Sequence, residues 1–256
     1  MNKQTNKIKM IVTDLDGTLL KTDKTISDYT ASIFKQCRES GIKIVFATAR
    51  PLSMVTAYIK QIHIDGLIAT NGAFIYADGD LIRENLLSVD IVHALQADLA
   101  GHPDVFKISA RSKDIHYTTK FSYDGDIVCD FKTPLEEMVA HLSFQTYNDL
   151  FAKDLIQKYP ELEIYHVTGE NLYDVGAVNC SKMNGVKILA EQFGIDINDI
   201  AAFGDDFNDI GMLQTCGTGV AMMNAIDEVK VTADVVCDSN QNDGVAKWLE
   251  ENVTLI

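Results

Sequence analysis

The sequence is poor in positive charge and has no long apolar run, and both deficits exclude classes of function. Lys and Arg number 22 against 37 Asp and Glu, for a net charge of -15. A chain of this charge repels nucleic acid and anionic lipid. The Lys-rich residues 1–10 lead into an apolar run far shorter than the roughly 20 residues of a membrane span, and they do not resemble a secretory signal. We therefore expect an unprocessed protein with neither a nucleic-acid nor a membrane partner.

The cysteines lack the spacing of a disulfide framework or a zinc site. There are 5 of them, an odd number, and no two form a CxxC pair. Tracts rich in Gly, Ser or Pro are also absent, so nothing in the composition indicates a disordered segment. These absences predict a chain that is folded throughout and works in a reducing compartment, and we expect a cytoplasmic location.

Apolar runs alternate with helical patterns in the first and last parts of the chain. The run at 8–12 is nearly continuous, which is typical of a strand buried on both faces of a parallel sheet. Ser27 and Gly41 frame a predicted helix, and Pro51 suits the first turn of another. The predicted strands are 7–13, 42–47, 66–69, 200–203, 219–222 and 233–237. This order predicts an α/β fold with a Rossmann-like parallel-sheet core.

The middle of the chain breaks this alternation. Asp78 and Gly79 lie between two apolar-rich runs and predict a tight hairpin over 74–82. Helices are then predicted at 89–99, from Pro134, and at 149–158, and strands at 105–111, 116–123, 162–167 and 172–178. We expect an α+β cap domain at 83–179, inserted into a discontinuous core of residues 1–82 and 180–256.

Two carboxylates, Asp14 and Asp16, follow the first predicted strand in the motif DLDGT (residues 14–18). The carboxyl end of a parallel strand lies at the sheet edge where ligands bind. Two carboxylates directed into one crevice repel each other unless a cation or a shared proton intervenes. A polar turn built on Gly17 is the alternative interpretation of an isolated motif of this kind.

A second acidic motif, GDDFND (residues 204–209), follows the predicted strand at 200–203 and therefore belongs to the same sheet edge. Its three carboxylates are Asp205, Asp206 and Asp209. Carboxylates gathered in this number call for a hard divalent cation, and oxygen ligands favour magnesium. Helix capping by Asp205 or Asp206 is the alternative, but capping explains only one of the three.

Lys182 stands at the start of a predicted helix, where the helix dipole disfavours a cation. An anion bound at the same place, such as phosphate, would reverse that penalty. A solvated surface lysine is the alternative. Two further strand ends carry polar turns: Thr48-Ala49-Arg50 offers a hydroxyl, backbone N–H groups and a guanidinium, whereas Asn71-Gly72 fits an ordinary turn equally well.

In chain order, DLDGT, Thr48, Lys182 and GDDFND resemble the four motifs of the haloacid dehalogenase (HAD) superfamily. Specifically, the chain resembles the Cof-type sugar phosphatases, in which a C2-type cap lies between the second and third motifs. The similarity covers the whole chain and includes residues 71–73, 220–225 and 243–246. Ala49 and Met223 stand where glycine is common in the family, and neither replaces a reacting group.

The resemblance implies a magnesium-dependent phosphatase that acts on a small metabolite, a sugar phosphate or a phosphorylated cofactor, through an aspartyl phosphate. It assigns Asp14 as nucleophile and Asp16 as general acid and base, with Lys182 as the third catalytic residue. It implies that Mg2+ is bound by the Asp14 carboxylate, the Asp205 carboxylate and the backbone carbonyl of Asp16. Asp209 is implied to support these ligands without contacting the metal directly. The residues implied in phosphate or substrate binding are Thr48, Ala49, Arg50, Asn71, Gly72, Lys182 and Asn208. The cap is expected to close over the site and to select the substrate.

Three other functions use similar residues. A phosphomutase would share the aspartyl phosphate, but the chain between Asp14 and Thr48 holds only one helix and one strand, which leaves no room for the helical cap common in related mutases. A phosphoacceptor signalling domain is about half this length and places its acidic pair before the phosphorylated Asp. A non-catalytic binding protein would not need Asp14, Asp16, Lys182 and Asp205 intact. The sequence leaves the oligomeric state open.

Overall fold

A computed structural model describes residues 8–113, 115–121, 125–167 and 171–253. The described residues form two compact units. The core unit comprises those up to Arg83 and those from Lys182 onward, and the inserted unit comprises those within Glu84–Ser181. None of the described helices combines the length and the apolar character needed to cross a membrane.

The first part of the core unit alternates strands and helices and ends in a hairpin. Its elements are β1 (Met10–Thr13), α1 (Asp28–Glu39), β2 (Lys43–Ala47), α2 (Leu52–Gln61), β3 (Gly66–Ala69), β4 (Phe74–Ala77) and β5 (Asp80–Glu84). Asp78 and Gly79 both have positive φ, 49° and 92°, as a tight two-residue hairpin turn requires. The hairpin predicted from these two residues is therefore confirmed.

The inserted unit and the second part of the core unit follow. The inserted unit contains α3 (Val89–Leu99), β6 (Val105–Arg111), β7 (His116–Thr118), β8 (Asp126–Val128), β9 (His141–Thr146), α4 (Asp149–Lys158), β10 (Glu163–Val167) and β11 (Leu172–Gly176). The core unit resumes with α5 (Lys182–Phe193), β12 (Ile200–Gly204), α6 (Ile210–Thr215), β13 (Thr218–Met222), α7 (Asp227–Thr232), β14 (Val235–Cys237) and α8 (Gly244–Asn252).

The core sheet has eight strands in the order β14-β13-β12-β1-β2-β3-β4-β5. The strands from β14 to β3 pair in parallel, and β4 pairs antiparallel with β3. Met10 in β1 lies opposite both Ile200 and Lys43, so β1 is hydrogen-bonded on its two edges. All four residues of β1 are buried, which explains its continuous apolar run. The predicted parallel-sheet core is confirmed.

The ends of α1 are set by local signals. The Ser27 hydroxyl accepts a hydrogen bond from the backbone N–H of Thr30 at 3.0 Å, which satisfies an N–H group at the start of the helix. After the helix, Gly41 takes φ +82°, a left-handed conformation that favours glycine. The buried side of α1 is formed by Ile33, Phe34 and Cys37.

The inserted unit is built on a six-stranded sheet in the order β10-β11-β9-β6-β7-β8. All its pairs are antiparallel except β7 with β8. Its hydrophobic core includes Leu142, Phe144 and Val175, and the ring of Phe144 stacks on Tyr173 at 5.2 Å between centroids. The sheet and its helices form an α+β unit, as expected for a cap.

The helix predicted from Pro134 is wrong, because residues 131–140 contain no helix. The Gln96 side chain donates to the carbonyls of Phe131 and Thr133 and accepts from the N–H of Leu135, which holds this segment as an irregular loop. The sequence analysis also missed β8 and β9. The predicted strand at 116–123 is shorter in the structure, where β7 ends at Thr118 and residues 122–124 lie outside the described ranges.

Gly185 allows α5 to pack against β3. A Cβ at this position would lie 2.6 Å from Cγ2 of buried Ile68. We expect Gly185→Ala to lower the free energy of unfolding by about 1–3 kcal/mol through overpacking, although Gly→Ala in an exposed helix stabilises by about 1 kcal/mol. Urea denaturation of Gly185→Ala, Ile68→Ala and the double variant measures the effect. The double variant should be more stable than the sum of the two losses predicts, and a stabilising Gly185→Ala would contradict this packing.

A buried charge pair joins two strands of the inserted unit. His141 Nδ1 lies 2.6 Å from Asp174 Oδ2, and His141 Nε2 lies 3.5 Å from Cys180 Sγ. Burial lowers the pKa of His141, but the Asp174 carboxylate outweighs it and holds the pKa well above its ordinary value. Because the folded-state pKa is raised, the stabilisation is complete below the unfolded pKa of about 6.5 and is lost as the pH rises through the folded pKa.

We therefore expect His141→Gln to lower the free energy of unfolding by about 3 kcal/mol at pH 6 and by less as the pH rises past the folded-state pKa. Urea denaturation at a series of pH values from about 6 upward, for as long as the wild-type protein stays folded, would measure this trend. His166→Gln, at an exposed position of β10, is the control and should show no such trend. A pH-independent deficit for His141→Gln would count against the charged pair.

Candidate active site

A buried lysine connects the first strand with two later parts of the chain. Asp14 follows β1, and Lys182 is the first residue of α5. The Lys182 Nζ donates to Asp14 Oδ1 at 2.6 Å and to Asp209 Oδ1 at 2.7 Å. Lys182 and Asp14 are only 2% and 5% exposed, so the solvated-surface interpretation of this lysine is excluded. The two carboxylates supply the negative charge that a lysine at a helix N-terminus requires.

The second acidic motif forms its own hydrogen-bonded turn after β12. Asp209 Oδ2 accepts from the backbone N–H groups of Asp205 and Asp206 at 2.9 Å and 3.1 Å. The Asp206 side chain accepts from the Phe207 N–H and completes a capping box. Capping therefore accounts for Asp206 and for one oxygen of Asp209. It does not account for Asp205, whose Oδ1 accepts from the Thr18 hydroxyl at 2.6 Å.

Three carboxylates converge where these segments meet. One oxygen from each of Asp14, Asp205 and Asp209 lies within 4.8 Å of the others. Burial, opposed by Lys182, raises the pKa of Asp14 well above its usual range, and burial together with Asp209 raises the pKa of Asp205 to about 7. Three carboxylates against one ammonium leave two negative charges uncompensated when all are ionised. A divalent cation with a preference for oxygen ligands fits this donor set.

Asp16 has a different environment from Asp14, although only Leu15 separates them. The Arg50 guanidinium donates to both of its oxygens, at 2.5 Å and 2.6 Å, and Lys24 Nζ donates at 2.6 Å. Burial raises the pKa of Asp16, but the hydrogen bonds from Arg50 and Lys24 outweigh it and lower the pKa below its ordinary value. The carboxylate of Asp16 thus does not belong to the cluster of Asp14, Asp205 and Asp209. It forms ion pairs with Arg50 and Lys24 instead.

The predicted phosphate-binding turns are also joined to one another. The Asn71 N–H donates to the Thr48 carbonyl at 3.0 Å, and Asn208 Nδ2 donates to Asn71 Oδ1 at 2.9 Å. Asn71 and Gly72 take positive φ, 51° and 102°, so this strand end turns sharply. Ala49 is exposed beside the buried Thr48. The turns after β2, β3 and β12 therefore lie side by side.

Some site residues were missed by the sequence analysis. Thr18 lies inside the quoted DLDGT motif, and its position four residues after Asp14 was an available signal. Asn224, which donates to the Gly17 carbonyl, lies in the segment 220–225 that resembles the family, but no role was predicted for it. Lys24 offered no signal, because its pairing with the Asp16 carboxylate is set by tertiary structure. Arg50 pairs with Asp16 in this structure, and its predicted role in substrate binding stays a prediction.

Comparison with known proteins identifies the family. The family model of the haloacid dehalogenase-like hydrolases matches residues 11–249. The chain belongs to this family, and the resemblance stated from the motifs is confirmed. It is 30% identical to a putative phosphatase of Haemophilus influenzae over 95% of this chain and 97% of that one. It is also 30% identical to a 5-amino-6-(5-phospho-D-ribitylamino)uracil phosphatase of Bacillus subtilis, over 94% of each chain.

Solved structures give the same result. A HAD phosphatase from Bacteroides thetaiotaomicron superposes with a TM-score of 0.86 at 26% identity, covering 98% of this chain and 97% of that one. A HAD subclass IIB sugar phosphatase superposes with a TM-score of 0.81, also at 26% identity, covering 95% of this chain and 98% of that one. The chain is therefore a phosphoric monoester hydrolase of the HAD type.

The absence of a side chain at Gly17 leaves room for the Asp205 carboxylate in the cluster. Its φ is +79°, and a Cβ there would lie 2.2 Å from Asp205 Oδ2. We expect a divalent cation such as Mg2+ to stabilise the metal-free protein against heat. Gly17→Ala is expected to displace Asp205 and so to weaken that stabilisation. Differential scanning calorimetry with and without Mg2+ measures this shift.

Gly41→Ala is a matched control for the backbone cost. Gly41 has φ +82°, and a Cβ there would meet nothing within 4 Å. Both substitutions impose a left-handed penalty of about 1–2 kcal/mol, but Gly41→Ala should retain the wild-type response to Mg2+. Equal Mg2+ responses in the two variants would show that Asp205 does not depend on Gly17.

Proposed function

We propose that this protein is a magnesium-dependent phosphatase that hydrolyses a phosphate monoester of a small metabolite by way of phosphorylated Asp14. The observation that carries the proposal is the group formed by buried Asp14, Lys182 and Asp209 with half-buried Asp205, in which a carboxylate at a strand end is held by a fixed ammonium. Positioned charges of this kind supply most of the rate acceleration in phosphoryl transfer.

Asp14 is suited to the role of nucleophile. Its Oδ1 accepts from Lys182, so the carboxylate is fixed in orientation and Oδ2 is left to attack phosphorus. Attack forms an O–P bond to Asp14 and breaks the bond to the leaving oxygen, which takes a proton from Asp16. In the second step, water gives its proton to Asp16 and attacks phosphorus, and the Asp14 carboxylate leaves.

Asp16 must change its surroundings before it acts as the acid. Its carboxylate is bound by Arg50 and Lys24, which favour the ionised form. A general acid has to carry a proton, so the hydrogen bonds between Asp16 and the Arg50 guanidinium must break when substrate is bound. In this proposal, Arg50 and Lys24 bind the Asp16 carboxylate until the phosphoryl group of the substrate enters the site.

The phosphoryl oxygens have three donors available. The Lys182 ammonium carries three protons, of which two are donated to Asp14 and Asp209. The Thr48 hydroxyl accepts from the Arg50 N–H at 3.1 Å, which leaves its own proton for a phosphoryl oxygen. The Asn208 amide gives one N–H to Asn71 and retains the other.

The metal would be held by Asp14, Asp205 and the backbone carbonyl of Asp16. Asp209 is better suited to a supporting position, because one oxygen accepts from Lys182 and the other from two backbone N–H groups. When bound, Mg2+ supplies positive charge that offsets the carboxylates and the phosphoryl oxygens. The all-oxygen donor set favours a hard cation such as Mg2+ over softer metals.

The substrate we propose is a sugar phosphate or a phosphorylated cofactor or its precursor. A structurally similar protein is a sugar phosphatase, and a relative acts on 5-amino-6-(5-phospho-D-ribitylamino)uracil. Both substrates join a phosphate monoester to a polyhydroxylated carbon chain, and we place both classes in the substrate panel.

We expect phosphate release from this panel to require both Mg2+ and Asp14. Asp14→Asn removes the nucleophile and should lower kcat by at least about a thousandfold. Asp227→Asn, which removes a 96% exposed carboxylate in the same unit, should remain within about twofold of wild type. The measurement is steady-state release of inorganic phosphate, with Mg2+ and with chelator.

A trapping experiment tests the covalent step directly. Borohydride added during turnover should reduce an acyl phosphate on Asp14 to homoserine, which peptide mass spectrometry detects at that position. Full activity in Asp14→Asn, or turnover that leaves Asp14 unreduced while another residue is modified, would overturn the proposed mechanism.

A further inference from the structure

A second concave region of the core unit lies away from the carboxylate cluster. A cavity of about 490 Å³ runs between α1 and the segment 60–63 that ends α2. The buried side chains of Phe34 and Ile62 line it. Its volume is within the range of about 300–1,000 Å³ that small-molecule sites occupy.

Cationic side chains converge on this cavity although the protein as a whole carries a net charge of -15. Lys35, Arg38 and Lys60 line it together with His63. Asp28 and Glu39 also reach it, and Lys35 lies 3.8 Å from Glu39. Across the described ranges, neither Arg38 nor Lys60 forms an ion pair, and both are exposed. Two cations are therefore available to an added anion.

The helix dipole explains why a cation stands at the end of each helix, but it does not explain why the two cations line the same cavity. Arg38 and Lys60 stand in the last turns of α1 and α2, where a cation complements the carbonyl end of a helix. This stabilisation acts at each helix separately and does not require the two side chains to line one cavity. Here the ends of α1 and α2 bring both cations to one cavity. The carbonyl ends of the two helices repel an anion, so an anion binds there only if Arg38 and Lys60 contact it.

A second cavity of about 290 Å³ adjoins the first, since Arg38 and His63 line both. Its lining is largely apolar and includes Leu52, Ile59 and Tyr76. The carboxylates of Asp65 and Asp78 also line it, and Lys43 pairs with both of them. A compartment lined by three cations and two carboxylates thus continues into a mostly apolar one that includes a tyrosine. This combination suits a ligand with an anionic group at one end and a flat apolar group at the other.

The two cavities lie at the opposite edge of the sheet from the catalytic residues. Arg38 and the segment 60–63 precede the amino ends of β2 and β3, whereas Asp14 and Thr48 follow the carboxyl ends of β1 and β2. Neither cavity is lined by Asp14, Lys182 or Asp205. Occupation of this region is therefore separate from the proposed phosphatase chemistry.

We propose that these adjoining cavities form a second binding site for a small organic anion. Its carboxylate or phosphate contacts Arg38 and Lys60, and its planar apolar part lies beside Tyr76. The proposal stands whether or not the phosphatase mechanism above is correct.

The test uses naphthalene probes in chelator, with no Mg2+ present. Naphthalene-2-carboxylate and naphthalene-2-phosphonate carry the two candidate anionic groups, and naphthalene-2-carboxamide is the neutral counterpart. Isothermal titration gives the affinities, and NMR of the His63 ring reports the location. The variant Arg38→Gln/Lys60→Gln is compared with Arg83→Gln/Lys187→Gln, which removes two exposed cations elsewhere in the core unit.

We expect at least one anionic probe to bind about fivefold more tightly than the carboxamide and to shift the His63 resonances. Arg38→Gln/Lys60→Gln should weaken that binding about fivefold, and the control pair should stay within about twofold. The stronger of the two anionic probes identifies the preferred group. The proposal fails if neither anionic probe binds, if Arg38→Gln/Lys60→Gln binds as well as wild type, or if the His63 resonances do not move.

Discussion

The placement of one buried ammonium group between two carboxylates organises the core of this protein. Lys182 joins Asp14, at the end of β1, to Asp209, in the turn after β12. A lysine 2% exposed is tolerated only when it is paired, and loss of one partner of such a pair typically costs about 3–5 kcal/mol. Loss of either carboxylate is therefore expected to destabilise the fold, independently of any role in the chemistry. The turn after β12 is positioned by the same contact, because Asp209 also binds the backbone of Asp205.

The two carboxylates of the first motif illustrate how neighbouring residues acquire different properties. Asp14 is buried against other acids, and its pKa is raised, whereas Asp16 is bound by Arg50 and Lys24, and its pKa is lowered. Pairs of titratable groups whose pKa values are driven apart are typical of acid–base sites. The proposed covalent and proton-transfer roles therefore fall on two groups with different immediate partners, although only one residue separates them in the chain.

Much of the core and the candidate site could be predicted because the signals are local. The buried run of β1, the Ser27 cap and the Asp78-Gly79 turn each depend on a few consecutive residues, and parallel strands bring their carboxyl ends to one edge. The identity of the acidic motifs then indicated the family.

The errors arise where distant residues decide the local structure. Pro134 is a reasonable helix start, but hydrogen bonds from Gln96 hold the following segment in an irregular form. This contact has no signature in consecutive residues, since it depends on how separate elements pack.

The split of the core has a consequence for how the chain folds during synthesis. β1 lies at the centre of the sheet, but its partner β12 starts at Ile200, so one edge of β1 stays unpaired until most of the chain has been made. The inserted unit is continuous, Glu84–Ser181, and its contacts are complete before β12 emerges. Because closing such long loops slows folding, the assembly of the core sheet is expected to be the late event. The cluster of Asp14, Lys182 and Asp209 joins β1 to the turn after β12, so it also becomes complete only at that last stage.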